Sequence, residues 1–198
     1  MIRTGTLTSP GGRDENQDAL GHRDANGGTA CWVVADGLGG HDGGRLAAQL
    51  CVEAALDAFE HRPAASSEVV RAMLEAAQQR VLEERARQPE LDRMRTTAVV
   101  LVSDGISAAW GHVGDSRLYR FSAEGRAQRL TRDDSVPQAL VDMGEISEAE
   151  MRAHDDRSRL LRSLGGDGAL EATVADPVPV HPGESFLLCS DGFWEYVT

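Results

Sequence analysis

An aspartate delivered by an apolar run and followed at once by glycine occurs as Asp36-Gly37, after Cys31-Trp32-Val33-Val34-Ala35, and again as Asp191-Gly192, after Leu187-Leu188-Cys189-Ser190. A carboxylate at a strand end, beside a glycine that lets a backbone carbonyl approach, offers the hard oxygen donors that Mg²⁺ and Mn²⁺ prefer. Two distant segments could then present acidic oxygens at one edge of the sheets. Either pair taken alone reads equally as a turn.

Composition narrows the chemistry. All 20 basic residues of the 198 are Arg, with no Lys in the chain. Mechanisms built on a P-loop lysine, a Schiff base or a kinase-type lysine are therefore excluded, and a bound phosphate must be held by Arg, backbone N–H or metal. The formal charge of -12 argues against a nucleic-acid partner held through phosphates. Cys31, Cys51 and Cys189 are odd in number, widely spaced and set in apolar runs, as buried free thiols are. No run approaches the ~20 apolar residues of a membrane span, and residues 1–10 lack the order of a secretion signal. The expectation is a soluble, cytoplasmic protein of one domain.

The elements that must position these residues follow from periodicity. Residues 2–9 alternate like a strand, broken by Ser9-Pro10-Gly11-Gly12, which delivers 13–18 into a loop or strand start. Residues 30–35 form a continuously apolar strand, as one covered on both faces would be. After the glycine-rich loop, 45–61 has helical spacing. A second helix capped by Ser66 or Ser67 carries Val70, Met73, Leu74, Ala77 and Val81. Short strands are expected at 96–102, 106–113, 118–121 and 126–130, helices at 136–143 and 147–154, and strands again at 170–175 and 185–189. Segregated strands and paired helices indicate α+β rather than βαβ.

Six segments in order carry a resemblance: Arg13-Asp14-Glu15-Asn16-Gln17-Asp18, Val33-Val34-Ala35-Asp36-Gly37-Leu38-Gly39-Gly40-His41, Thr96-Thr97-Ala98, Gly111-His112-Val113-Gly114-Asp115-Ser116-Arg117, Leu130-Thr131-Arg132-Asp133-Asp134-Ser135 and Ser190-Asp191-Gly192. Together they resemble the metal-dependent protein phosphatases, type 2C, and in particular the bacterial members. The resemblance implies a four-layer αββα sandwich of two antiparallel sheets flanked by helices, with residues 136–165 as a flap beside the site. It implies that Asp36 bridges two Mn²⁺ or Mg²⁺ ions, that Gly37 gives its carbonyl to one and that Asp191 binds the other. Asp18 lies beside them, Asp115 with Asp191 can hold a third, weaker ion, and Arg13 binds phosphate. Two metals sharing a water lower its pKa and steady an in-line displacement, so no protein nucleophile is needed. The implied substrate is phosphoserine or phosphothreonine in a protein that a serine/threonine kinase has modified.

The sequence also departs from the family pattern. Leu38 stands where many eukaryotic relatives have a His, leaving His41 as the candidate that protonates the leaving group, beside His112 as an outside possibility. Gln17 replaces a metal-side Glu and Asp134 a frequent His. The usual closing elements, with a final Asp-Asn pair that completes one metal site, are absent up to Thr198. That leaves a second reading, a catalytically impaired module that binds a phosphoprotein or partner. The run from Ser190 to Val197 resembles phosphatases associated with type VI secretion. A nuclease or phosphodiesterase fits the acidic, lysine-free chain poorly. Residues 24–35 fail as a calcium loop because position twelve is Ala35, and Gly37-Leu38-Gly39-Gly40-His41-Asp42 lacks the last glycine of a dinucleotide loop.

Overall fold

The computed structural model describes residues 2–197, with the side chains of His41 and Asp42 outside the described set. The chain runs β1 (Asp18–Asp24), β2 (Ala30–Leu38), α1 (His41–His61), α2 (Ser67–Arg87), β3 (Arg95–Thr96), β4 (Ala98–Ser103), β5 (Ser107–Val113), β6 (Arg117–Phe121) and β7 (Ala127–Arg129). It ends with α3 (Val136–Met143), β8 (Thr173–Val174), β9 (Val178–Pro179), β10 (Ser185–Cys189) and α4 (Asp191–Trp194). The larger sheet has the order β1-β2-β4-β5-β8, with β3 beside β2 and β9 beside β5, and the smaller has the order β10-β6-β7. All pairings are antiparallel, as the hairpin-linked strands led us to expect.

The apolar runs explain the layering. Successive side chains of a strand face opposite ways. Cys31, Val33, Ala98, Val100 and Val102 turn to one side of the large sheet, where they meet Phe59 of α1 and Val70, Met73 and Leu74 of α2. Val99, Leu101 and Trp110 turn to the other side, against Leu118, Phe186 and Leu188 of the small sheet. The central strands are thus apolar on both faces because one face packs on helices and the other on a second sheet. Ser66 caps α2 by accepting from the Val69 N–H, and Ser135 likewise caps α3, whose C-cap Gly144 has φ 74°. Cys31, Cys51 and Cys189 are free and buried, and no helix among the described residues is long and apolar enough to cross a membrane.

Several expectations shift: the strand expected at 30–35 runs on through Asp36 and Gly37 to Leu38, and the one expected at 96–102 divides into Arg95–Thr96 and Ala98–Ser103. Residues 2–9 form no strand, and Leu7 is 87% exposed, because an alternating pattern makes a strand only where a partner edge accepts it. α1 begins at His41, one turn before 45. Residues 147–154 close only a 3₁₀ turn at Met151–Ala153, for Met151 is the one buried side chain there and no apolar stripe supports a longer helix. The strand expected at 170–175 is reduced to Thr173–Val174, and Val178–Pro179 adds a second short pairing to β5.

Candidate metal centre

In the β1–β2 ladder Asp18 stands directly opposite Asp36. Like charges facing each other across a ladder are destabilising, so this pair marks a position that folding alone would not favour. Asp115 lies in the turn between β5 and β6, reached through Gly114, and Asp191 opens α4 directly after β10. Four chain segments therefore bring Asp18, Asp36, Asp115 and Asp191 to one region.

The electrostatics show how close that gathering is. Burial, then the charges of Asp191 and Asp18 and a hydrogen bond shared with Asp191, push the Asp36 carboxyl from its ordinary 3.8 to about 9. Asp115, only 4% exposed, is pushed to about 8 by burial first and then by Asp191 and Asp133. Asp18 is raised by burial and by Asp191, against the Ser190 hydrogen bond and the positive charge of Arg13. The same Arg13 charge acts on Glu195, whose carboxyl is raised by burial and Asp191. Arg13 lies on the exposed loop before β1, near enough for its charge to act on Asp18 and Glu195.

The backbone around Asp36 is tightly held. Its carbonyl accepts from Thr97 N–H at 2.9 Å and from Thr96 Oγ1 at 2.9 Å, and its N–H donates to Thr97 Oγ1 at 3.0 Å. Thr97 Oγ1 in turn meets Ser116 Oγ at 2.7 Å, beside Asp115. A Cβ on Gly37 would stand 2.0 Å from the Gly44 carbonyl oxygen, so glycine is required for the first turn of α1 to press against the end of β2. The Gly37 N–H donates to the Gln17 carbonyl at 3.2 Å, drawing the Arg13 to Asp18 loop over the same point. Asp18 is fixed twice, by Ser190 Oγ donating to its Oδ2 at 2.7 Å and by its N–H donating to Asn16 Oδ1 at 3.0 Å.

Buried, mutually repelling hard-oxygen donors form a set whose charge a divalent cation relieves, so these residues fit Mn²⁺ or Mg²⁺. Among the described residues no group of three or more His, Cys, Asp or Glu side chains stands placed to hold a metal ion. The fit rests on donor chemistry and on the charge the cluster carries.

Of the two histidines, His41 has its side chain outside the described residues. His112 is 2% exposed, held below its ordinary value chiefly by burial, and its Nδ1 has no hydrogen-bond partner. Its 3.9 Å approach to Asp134 is therefore not an ion pair, and it belongs to the packed sheet rather than to the carboxylates. Asp134 serves the loops instead: its Oδ2 accepts from the Gly114 N–H at 3.0 Å and its Oδ1 from Arg162 Nη1 at 3.1 Å. Asp134, Gln138, Leu161 and Arg162 line an open cavity of about 770 Å³ together with Gln78 and Thr173. The hydrogen-bonding roles of Ser190, Thr96 and Thr97 escape sequence reasoning, although all three lie in the quoted segments.

Residues 12–197 match the family model described as Protein phosphatase 2C. Over 167 residues the chain is 32% identical to the serine/threonine protein phosphatase PstP of Mycobacterium tuberculosis, which covers 84% of this chain and 32% of that protein. The chain thus spans about a third of that relative's length. Among solved structures, the catalytic domain of PstP in complex with 2 manganese ions superposes with a TM-score of 0.78 at 29% identity, covering 94% of this chain and 75% of that one. PppA, described as a key regulatory component of T6SS in Pseudomonas aeruginosa, gives a TM-score of 0.70 at 34% identity, covering 91% and 72%.

Proposed function

We propose, from the premise that the chain belongs to the protein phosphatase 2C family, that it hydrolyses phosphoserine and phosphothreonine in proteins at a centre of two divalent ions. Asp18, Asp36, the Gly37 carbonyl and Asp191 would hold them, with Asp115 and Asp191 open to a weaker third. The observation that carries this reading is the Asp18–Asp36 register pair, enclosed with Asp115 and Asp191 so that the Asp36 carboxyl is pushed to about 9. When bound, Mn²⁺ or Mg²⁺ supplies positive charge that makes a water nucleophilic near neutral pH and offsets charge on the phosphoryl oxygens.

The chain's own residues do the rest. Arg13 reaches the site from the solvent side and grips two phosphoryl oxygens of the incoming dianion. Thr96 and Thr97 fix the main chain at Asp36, and Ser190 holds the Asp18 carboxylate through its Oδ2. A protein nucleophile has no support: Ser190 Oγ is committed to Asp18, and burial pushes all three cysteine thiols up to about 12. His41 is the candidate that protonates the leaving alkoxide. We read residues 136–165 as a flap of the same single domain over the cavity, and the substrate as a cytoplasmic protein modified by a serine/threonine kinase. The manganese-bound PstP domain supports the choice of metal.

Hydrolysis of p-nitrophenyl phosphate and of a phosphothreonine peptide should require Mn²⁺ or Mg²⁺ and cease in EDTA. Undiminished turnover in chelator would reject the metal mechanism. Metal-dependent phosphopeptide binding without hydrolysis would favour the impaired module instead.

A further inference from the structure

Asp115 and Asp191 leave the small sheet from neighbouring strands. The β6–β10 ladder ends on the pair Arg117 and Cys189, and two residues beyond it on either side stand the two carboxylates. Nothing in the ladder holds these ends together past that pair. A separate assembly spans the gap. Arg117 donates from Nε to Asp133 Oδ1 at 3.0 Å and from Nη2 to Asp133 Oδ2 at 2.6 Å, the fork-on-fork geometry of a bidentate pair. It also donates from Nη1 to the Tyr119 hydroxyl at 3.2 Å. The guanidinium carbon lies 3.4 Å from the centroid of the Trp194 ring, so the cation is stacked between a carboxylate at its edge and an indole on its face. The Trp194 Nε1–H then donates to the Asp115 carbonyl at 3.0 Å. Arg117, Asp133 and Trp194 are all nearly inaccessible, at 5%, 6% and 5% exposure.

We propose that Arg117 and Trp194 are positioning residues, a strut that fixes the separation between Asp115 and Asp191 and so sets how tightly the centre takes its metal. The strut joins α4 three residues after Asp191 to β6 two residues after Asp115, closing a ring through both carboxylate-bearing turns. A buried ion pair is a poor source of net stability, since desolvation offsets most of its attraction. Its contribution here is geometric. Lysine cannot replace Arg117, because a point charge neither forks onto Asp133 nor stacks flat on an indole. Trp194→Phe keeps an aromatic ring near the guanidinium but loses the N–H that anchors Asp115 along with the pyrrole part of the indole, whereas Arg117→Lys leaves the indole and its N–H in place, so the two variants together separate positioning from packing.

The inference rests on the metal-centre reading, and the test distinguishes the two. In the full-length protein, Mn²⁺ affinity is measured by calorimetry for the wild type, Trp194→Phe and Arg117→Lys, with near-ultraviolet circular dichroism to confirm folding. Both variants should bind Mn²⁺ about 10–100-fold more weakly, the cost typical of losing a group that orients a metal ligand. At saturating Mn²⁺ the KM for phosphopeptide should stay at the wild-type value, because Arg13 is untouched. Folded variants with unchanged Mn²⁺ affinity overturn the proposal. Loss of fold in both shows a determinant of folding and overturns the positioning role. A wild type that binds Mn²⁺ without hydrolysing anything removes the phosphatase reading alone, whereas one that binds none removes the strut's purpose as well.

Discussion

Asp36 combines 7% exposure with three acidic neighbours, and its protonation state therefore reports on the centre before any substrate is present. Its folded carboxyl titrates at about 9 against an ordinary 3.8. A group raised on folding contributes stability that is fully present below its unfolded pKa and is lost as pH rises through the folded one. Metal-free protein should accordingly lose stability between pH ~4 and ~9 on account of Asp36. Asp36→Asn, which needs no proton to stay neutral, should raise the metal-free Tm at pH 8 by ~2–4 °C for each kcal/mol of protonation cost removed, and should abolish both Mn²⁺ binding and turnover. A lower metal-free Tm for Asp36→Asn would show that the charge burden lies elsewhere. Arg13→Ala acts on the other partner. Losing a charge-assisted fork on phosphate should raise the phosphopeptide KM by about 10–100-fold, with calorimetric Mn²⁺ affinity unchanged; weakened Mn²⁺ binding instead would place Arg13 among the metal's supports.

Elements meet at two tight places that carry the next expectations. β2 and α1 approach so closely at Gly37 and Gly44 that a Cβ on Gly37 would fall 2.0 Å from a carbonyl oxygen of the backbone. Backbone cannot swing aside as a side-chain tip does, so Gly37→Ala should cost about 1–3 kcal/mol or more as overpacking, read as a drop in denaturant midpoint at constant slope. An unchanged midpoint would mean that α1 can shift without penalty. Asp134 joins the β5–β6 turn to residues 136–165 through Gly114 and Arg162. Asp134→Ala removes two charge-assisted bonds worth about 1.5–3 kcal/mol each, and amide exchange at residues 159–162 should quicken while exchange in β4 does not.

At the scale of the whole molecule, metal binding and folding are one equilibrium. A ligand that binds only the native state stabilises it by about 2.7 kcal/mol at a hundredfold excess over Kd, so saturating Mn²⁺ should raise Tm by ~5–10 °C and EDTA should reverse the rise. Equal melting in Mn²⁺ and EDTA would contradict the centre. The sequence by itself determined what depends on local order: the both-faces-covered strand, since the continuous apolar run at 31–35 has no polar face to expose, the cap at Ser66 or Ser67, which falls on Ser66, and the two Asp-Gly pairs at or near strand ends. It also determined the family, because six short segments in fixed order are a one-dimensional signal. Only the tertiary structure decided what depends on residues far apart meeting. The Asp18–Asp36 register, the Ser190 bond to Asp18 across 172 positions and the Trp194 anchor on Asp115 across 79 leave no periodicity behind, because a single contact imposes no repeat on the chain. The same reason explains the misread strand at 2–9: alternation states which side chains could share a face, and only the packed sheet states whether a partner edge is there to receive them.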